Sequence, residues 1–408
     1  MADPSRSKTA TLAVVVAALG YFVDIYDLIL FSIVRVASLQ SLGVPSAELL
    51  EKGVLLINMQ MGGMLVGGVL WGVLGDRRGR LSVLFGSIAL YSLANLANGF
   101  VQTVPLYAAL RFIAGVGLAG ELGAGITLVS ESLGRNERGW GTAIVAAIGT
   151  AGAVVGSLVG AQFGWRVAYI VGGCLGLALL LLRVGVVESG LFARLKSDDA
   201  IARGSFFSLF TSRARLTRYL SIILVGVPIW FSVGILITFR PELGKALGLV
   251  PAPEAGRAVL WMYAGLTVGD FGSGVLSQLL QKRKLVVRLS LAATGLSYLA
   301  YFTVAGSSLT AFYAVCFVLG LSNGYWAMFV TIASEQFGTN LRATATTTVP
   351  NFVRGAVVPL TITFGALKPS LGPLGAAGLV GGVMLAVAFV AVFGLEETFG
   401  KDLDHLEH

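Results

Sequence analysis

An all-α membrane protein, with twelve transmembrane helices in two pseudo-symmetric bundles of six, is the fold class the sequence predicts. Three observations predict it. Of 408 residues, 56% are hydrophobic and only 12% charged, about half the charged share of a soluble domain. The apolar runs last about 20 residues, the length a helix needs to cross lipid, and they lack the alternation of barrel strands. Features of the first half also return in the second at a nearly constant offset.

Each element follows from hydropathy. Helices are expected at about 11–35, 53–74, 81–101, 105–128, 139–162 and 166–186, then at about 218–239, 257–280, 285–305, 308–331, 345–367 and 372–395. The polar stretch between the two sets contains Glu188, Lys196, Asp198 and Asp199 and reads as a cytoplasmic linker. The chain therefore divides at about 1–186, 187–217 and 218–400, with a tail at about 401–408. That tail ends in Leu-Glu-His, like a trimmed purification tag.

Charge sets the expected orientation. Of the 29 Lys and Arg residues, twenty fall on the side of the N-terminus, among them Arg77, Arg80, Arg138, Arg183 and Arg342. Seven fall on the other side, among them Arg35 and Arg240, and two, Arg111 and Arg354, fall inside helices. Cations collect on the cytoplasmic face, so both termini are expected inside. The net charge of +8 is thereby a matter of topology, and no nucleic-acid partner is called for. Cys174 and Cys316 lie in apolar runs as packing residues, and His405 and His408 lie at the extreme end. No metal site, cofactor or nucleophile–base pair follows, which speaks against an enzyme. With no histidine in any helix, a proton carrier must be a carboxylate.

The repeat is specific. Gly72-Val73-Leu74 with its basic turn returns as Gly274-Val275-Leu276 with Lys282-Arg283-Lys284, 202 residues on. Glu131 with Arg138 returns as Glu335 with Arg342, 204 residues on. Repeats flanking a midplane site are typical of secondary transporters.

Gly72-Val73-Leu74-Gly75-Asp76-Arg77-Arg78-Gly79-Arg80 resembles the signature loop of the major facilitator superfamily. Arg111-Phe112-Ile113-Ala114-Gly115-Val116-Gly117 is similar to the family's fourth-helix motif. Glu131 to Arg138, Glu335 to Arg342 and Glu397-Thr398-Phe399-Gly400-Lys401 resemble signatures of sugar porters and their metabolite-symporter relatives. Asp24-Ile25-Tyr26-Asp27 is similar to the paired aspartates of aromatic-acid/proton symporters, and its spacing sets both carboxylates on one helical face. The resemblance implies a transporter in a bacterial inner membrane, working as a monomer by alternating access. It also implies a conformational latch of Gly72, Asp76, Arg77, Gly79, Arg80, Glu131, Arg138, Glu335 and Arg342. Gln278 stands where the second copy would carry the counterpart of Asp76, so a weaker C-terminal latch is expected.

A charge at mid-bilayer costs roughly 2.5–3.5 kcal/mol, and six residues incur it: Asp24, Asp27, Arg111, Glu121, Asp270 and Arg354. Asp27 and Arg111 are read as a proton-coupling pair, the alternative being a permanent ion pair between two helices. Asp24 either shares the proton with Asp27 or is solvated in the cavity. Glu121 is a second proton site, a cation ligand or a hydrogen-bonded structural acid. Arg354, with Asn351 one turn before it, is the candidate for holding an anionic group, unless Asp270 neutralises it. Trp230, Asn323, Tyr325 and Trp326 offer aromatic walls and polar contacts, or else core packing. The expected function is proton-coupled symport of a small organic solute, with a carboxylate favoured. An organic-cation or drug/proton antiporter and a sugar/proton symporter are the alternatives.

Overall fold

The computed structural model describes residues 4–78, 80–121, 138–188 and 206–401. Among them every regular element is helical. The first half holds α1 (Pro4–Ser41), α2 (Leu49–Arg78), α3 (Arg80–Asn98), α4 (Val104–Leu118), α5 (Arg138–Phe163) and α6 (Trp165–Glu188). The second holds α7 (Arg213–Phe231), the short α8 (Arg240–Ala246), α9 (Ala255–Leu280), α10 (Arg283–Thr303), α11 (Leu309–Asn323), α12 (Trp326–Glu335), α13 (Thr339–Gly355) and α14 (Val357–Ala391).

Eight helical stretches among the described residues are long and apolar enough to cross a bilayer. One of them, Thr344–Gly394, is long enough to cross twice and folds back at Gly372, whose φ of +67° is left-handed. Glycine takes that conformation without a Cβ penalty, and Pro373 prevents the incoming helix from continuing through it. With α3, α4 and α5 the fold has twelve spans.

Helix pairing repeats between the halves. α1 packs along α5, α2 along α4, and α3 on α4 and α6. In the second half α7 packs on α13 and α14, α9 along α11, and α10 on α11 and α14. The tightest crossings correspond too. A Cβ on Gly115 would enter the Gln60 carbonyl of α2, and one on Gly320 the Met262 carbonyl of α9. Small residues of this kind let membrane helices approach closely. The halves meet along two seams, α5 with α9 and α2 with α13.

Two spans depart from the uniform helices expected. The seventh carries Pro228 and then widens into a π-helical turn at Ser232–Ile237. Proline lacks the N–H that would bond one turn back, and the Pro228 carbonyl accepts from Ser232 Oγ at 3.0 Å and Tyr298 Oη at 2.8 Å. The tenth span, expected as one helix at about 308–331, is two: α11 stops at Asn323 and α12 starts at Trp326. Gly324 lies so close to the Gly269–Asp270 backbone that no Cβ fits. The chain between α6 and α7 also ends in a buried feature. Residues Phe206–Phe210 form a single 3-10 turn that sets the Phe206 ring 6.2 Å from that of Phe352.

Candidate functional site

A fully buried ion pair joins the two halves. Asp24 on α1 and Arg354 on α13 meet at 3.0 Å, Oδ2 to Nη2, and both side chains are 0% exposed. The Arg354 guanidinium also lies over two indoles, 5.6 Å from Trp230 and 5.7 Å from Trp326. Those rings meet edge to face at 6.2 Å, and Trp326 stacks on Phe329 at 5.2 Å. Buried charges of this kind ordinarily use all their hydrogen-bonding capacity. This pair does not: Asp24 Oδ1, Arg354 Nε and Arg354 Nη1 have no partner among the described residues. An aromatic wall beside half a guanidinium fork is suited to a flat molecule bearing a carboxylate, which matches that fork in bidentate geometry.

The alternative in which Asp270 neutralises Arg354 is therefore corrected, since Asp24 does so. Asp270 on α9 serves another purpose. Its Oδ1 accepts from the Ala327 N–H at 3.0 Å, satisfying one of the free donors in the first turn of α12. Asn323 donates to Leu319 O at 2.7 Å and Ser232 Oγ at 3.3 Å, and Tyr325 donates to Val225 O at 2.9 Å. Both residues fasten the break to the seventh span. Asn351 is a seam residue, its Nδ2 donating at 2.8 Å to Ala119 O across the halves and to Thr347 O.

Asp27 and Arg111 are not joined by an ion pair or a hydrogen bond. Arg111 Nη2 donates to Gln60 Oε1, and its guanidinium lies over Phe31 at 5.0 Å and Tyr169 at 5.7 Å. Neither Asp27 oxygen has a hydrogen-bond partner among the described residues. Asn95 is close enough to interact with it but outside hydrogen-bond geometry. On α6, a Cβ at Gly172 would collide with Asp27 Oδ1. Gln60 takes one nitrogen of Arg111 and leaves Nε and Nη1 without a partner among the described residues. Asp27 is within electrostatic reach of Arg111, yet the permanent ion pair between them is not formed.

Glu121 is held by a residue that sequence reading treated as a topological charge. Arg183 on α6 grips it with both nitrogens, at 3.0 and 2.5 Å, and also reaches Val16 O at 3.5 Å. A Cβ on Gly20 of α1 would collide with both partners. Two further cations counted as loop charges are buried at the opposite end of the fold from the N-terminus. Arg35 on α1 binds both oxygens of Glu242 on α8, at 2.8 and 2.7 Å, and lies 5.0 Å from the Phe239 ring. Arg240 donates to Ser32 O at 3.1 Å, and Ser32 and Thr238 share a hydroxyl bond of 2.8 Å. All these bonds cross between the halves. Arg183 lies within the sixth apolar run, so its position there was the available signal. Arg35 and Arg240 carried none, lying at the ends of runs.

Of the latch residues, Gly72 lies on α2, where an added Cβ would meet Thr348 of α13 at 3.7 Å, an ordinary van der Waals distance. Gly79 and Glu131, and the side chains of Asp76, Arg77, Arg80, Arg138 and Arg342, lie outside the described residues. Glu335 pairs with Arg283 at 2.7 Å. Glu397 accepts from the backbone N–H of Arg283 at 2.9 Å and of Lys284 at 3.1 Å. The second basic turn is thus held by Glu335 and Glu397 although Gln278 supplies no carboxylate.

Residues 12–358 match the Major Facilitator Superfamily. The 3-(3-hydroxy-phenyl)propionate transporter of Escherichia coli (strain K12) is 29% identical over 86% of this chain and 83% of its own length. The niacin transporter NiaP of Acinetobacter baylyi is 27% identical, over 96% and 95%. The gentisate transporter of Corynebacterium glutamicum is 25% identical, over 79% and 73%. With the family matched along most of its length, and with its spans paired in two repeated halves, the chain belongs to the Major Facilitator Superfamily and is a membrane transporter rather than an enzyme.

Proposed function

We propose that this chain imports a small aromatic carboxylate together with protons, by alternating access about the Asp24–Arg354 pair. The single observation that carries the reading is that pair itself: buried, shared between the halves, and bonded through only one guanidinium nitrogen. A substrate carboxylate occupies the open edge of Arg354, and its ring lies against Trp230 and Trp326. Asp24 then takes a proton, because two anions cannot share one cation at that depth without a large cost. The neutral acid no longer holds α1 to α13, and the halves are free to rock. Asp27, one turn along the same face, with no hydrogen-bond partner among the described residues, is the next carboxylate on the proton's route. Glu121 is enclosed by Arg183, which supports a structural part for it.

The names of the relatives support the substrate class: a hydroxyphenylpropionate, niacin and gentisate all carry an aromatic ring and a carboxyl group. The protein works in this reading as a monomer in a bacterial inner membrane, with both termini inside.

Transport in proteoliposomes tests it. In Asp24→Asn, exchange of labelled aromatic acid across the membrane is expected to persist, while accumulation driven by an imposed pH gradient is lost. An Asp24→Asn protein that still concentrates the acid against its gradient would refute the coupling. Uptake of organic cations that survives Arg354→Gln would move the cation antiporter into its place.

A further inference from the structure

One buried carboxylate oxygen outside the Asp24–Arg354 pair is left without a hydrogen bond among the described residues. Asp270 is 2% exposed, and the backbone N–H groups of Ala327 and Trp326 both face its carboxyl, the Ala327 N–H bonding Oδ1 at 3.0 Å. Its Oδ2 has no hydrogen-bond partner among the described residues. Asp270 shares neighbours with the ion pair. Ala327 directly follows Trp326, whose ring lies against Arg354. Tyr21 and Tyr263 are each within electrostatic reach of Asp24, Asp270 and Arg354 together. A second bare acceptor, Asn323 Oδ1, lies on the other flank of the break in the tenth span. Buried acceptors are almost always satisfied, and leaving one bare is costly. Here the backbone break that creates α12 holds Asp270 by one oxygen and so fixes the direction of the other.

We propose that Asp270 determines specificity by accepting a hydrogen bond from a donor on the substrate ring, such as a phenolic hydroxyl, at the end away from the carboxylate. This rests on the reading of Arg354 as the carboxylate site. The substrate class is thereby narrowed from aromatic acids in general to aromatic acids that carry a donor on the ring. The selection works mainly by exclusion. A ring without a donor displaces water from Asp270 and returns nothing to it, and sites built to bond a substrate hydroxyl reject analogues lacking one.

Calorimetric titration of the purified full-length protein tests the assignment. The probes are benzoate and 3-phenylpropionate, each as the parent acid, the meta-hydroxy acid and the meta-methoxy acid. Methoxy accepts a hydrogen bond but donates none, so it separates donation from size and polarity. In the wild type at least one hydroxy acid is expected to bind about ten- to a hundredfold more tightly than its parent and methoxy counterparts, the range of a hydrogen bond to a charged group. In Asp270→Asn the oxygen that caps α12 is kept and the bare oxygen becomes a donor, so the hydroxy-to-methoxy ratio is expected to fall to one or below. The ratio is the readout, and the melting temperature without ligand shows whether the variant is folded. Equal affinities for hydroxy and parent acids in the wild type, with binding that Arg354→Gln abolishes, overturn this assignment and leave the carboxylate site standing. An undiminished hydroxy preference in folded Asp270→Asn overturns it likewise. Failure of every acid to bind the wild type overturns both readings.

Discussion

Two arginine–carboxylate pairs among the described residues have both partners buried, and they are built differently. Glu121 and Arg183 lie within the first half, joined through both nitrogens and both oxygens, with a carbonyl of α1 taking a further bond. Asp24 and Arg354 lie between the halves, joined by one bond, with three polar atoms bare and two indoles beneath. In the proposed rocking mechanism the first pair lies within a unit that stays intact, and the second spans surfaces that part. The first pair leaves a single atom bare, Arg183 Nε, and the second leaves three, so the two differ in how completely they are bonded.

The largest effect expected from this contrast is in stability. Arg183→Ala leaves Glu121 buried without a partner, which should cost about 3–5 kcal/mol and appear as a sharp fall in melting temperature in detergent. The double variant Glu121→Gln/Arg183→Met should recover most of the loss, because a buried pair replaced as a unit leaves no lone charge. Arg354→Gln should lose substrate binding with a smaller stability cost, since Asp24 can become neutral by taking a proton. If Arg354→Gln proves as destabilising as Arg183→Ala, the contrast between the pairs fails.

A smaller effect concerns Arg35 and Glu242, which share two bonds from one arginine nitrogen and, like the second pair, join the halves. Their rupture should shift the conformational balance rather than unfold the protein. Arg35→Ala is expected to increase the population open at that end by roughly tenfold, about 1.4 kcal/mol. Spin-label distances between α1 and the seventh span would read the shift. The exchanged pair Arg35→Glu with Glu242→Arg should bring the distances back, and failure to do so would make the pair incidental to opening.

The smallest effect sharpens the boundary of the site. Tyr325 was a candidate for touching substrate, yet its hydroxyl is occupied by Val225 O. Tyr325→Phe should cost about 1 kcal/mol of stability and leave the affinity for an aromatic acid unchanged within twofold. A tenfold loss of affinity would return Tyr325 to the site.

Much of the fold was legible in the one-dimensional record. A helix in lipid needs a run of apolar residues of set length, so the twelve spans could be placed before any contact was known. The repeated motifs announced two halves, and helix pairing repeats accordingly. The charged residues of the candidate site stood out as isolated charges, because a charge in such a run is costly enough to need a reason. Asp24, Asp27, Arg111, Glu121, Asp270 and Arg354 were all found in this way.

Their partners were not legible. Arg354 was set against Asp270 and Arg111 against Asp27, both plausible by depth along the membrane. The fold joins Arg354 to Asp24, Arg111 to Gln60 and Glu121 to Arg183. Depth is a property of position in one run, whereas partnership depends on which faces of two helices meet and how closely. That closeness is decided by glycines such as Gly115 and Gly324, whose missing side chains matter only once a neighbour is present. The break in the tenth span has the same origin. Hydropathy dips at Ser322-Asn323-Gly324-Tyr325, but the stretch Leu309–Glu335 as a whole stays apolar enough for one span. It is the backbone of α9 pressing on Gly324, with Asp270 bonded to the new helix start, that shows where it divides. Sequence alone settled the crossings and the charges they carry, because hydropathy and charge belong to each residue. Tertiary structure settled the pairs and the break, because these belong to the contacts between helices.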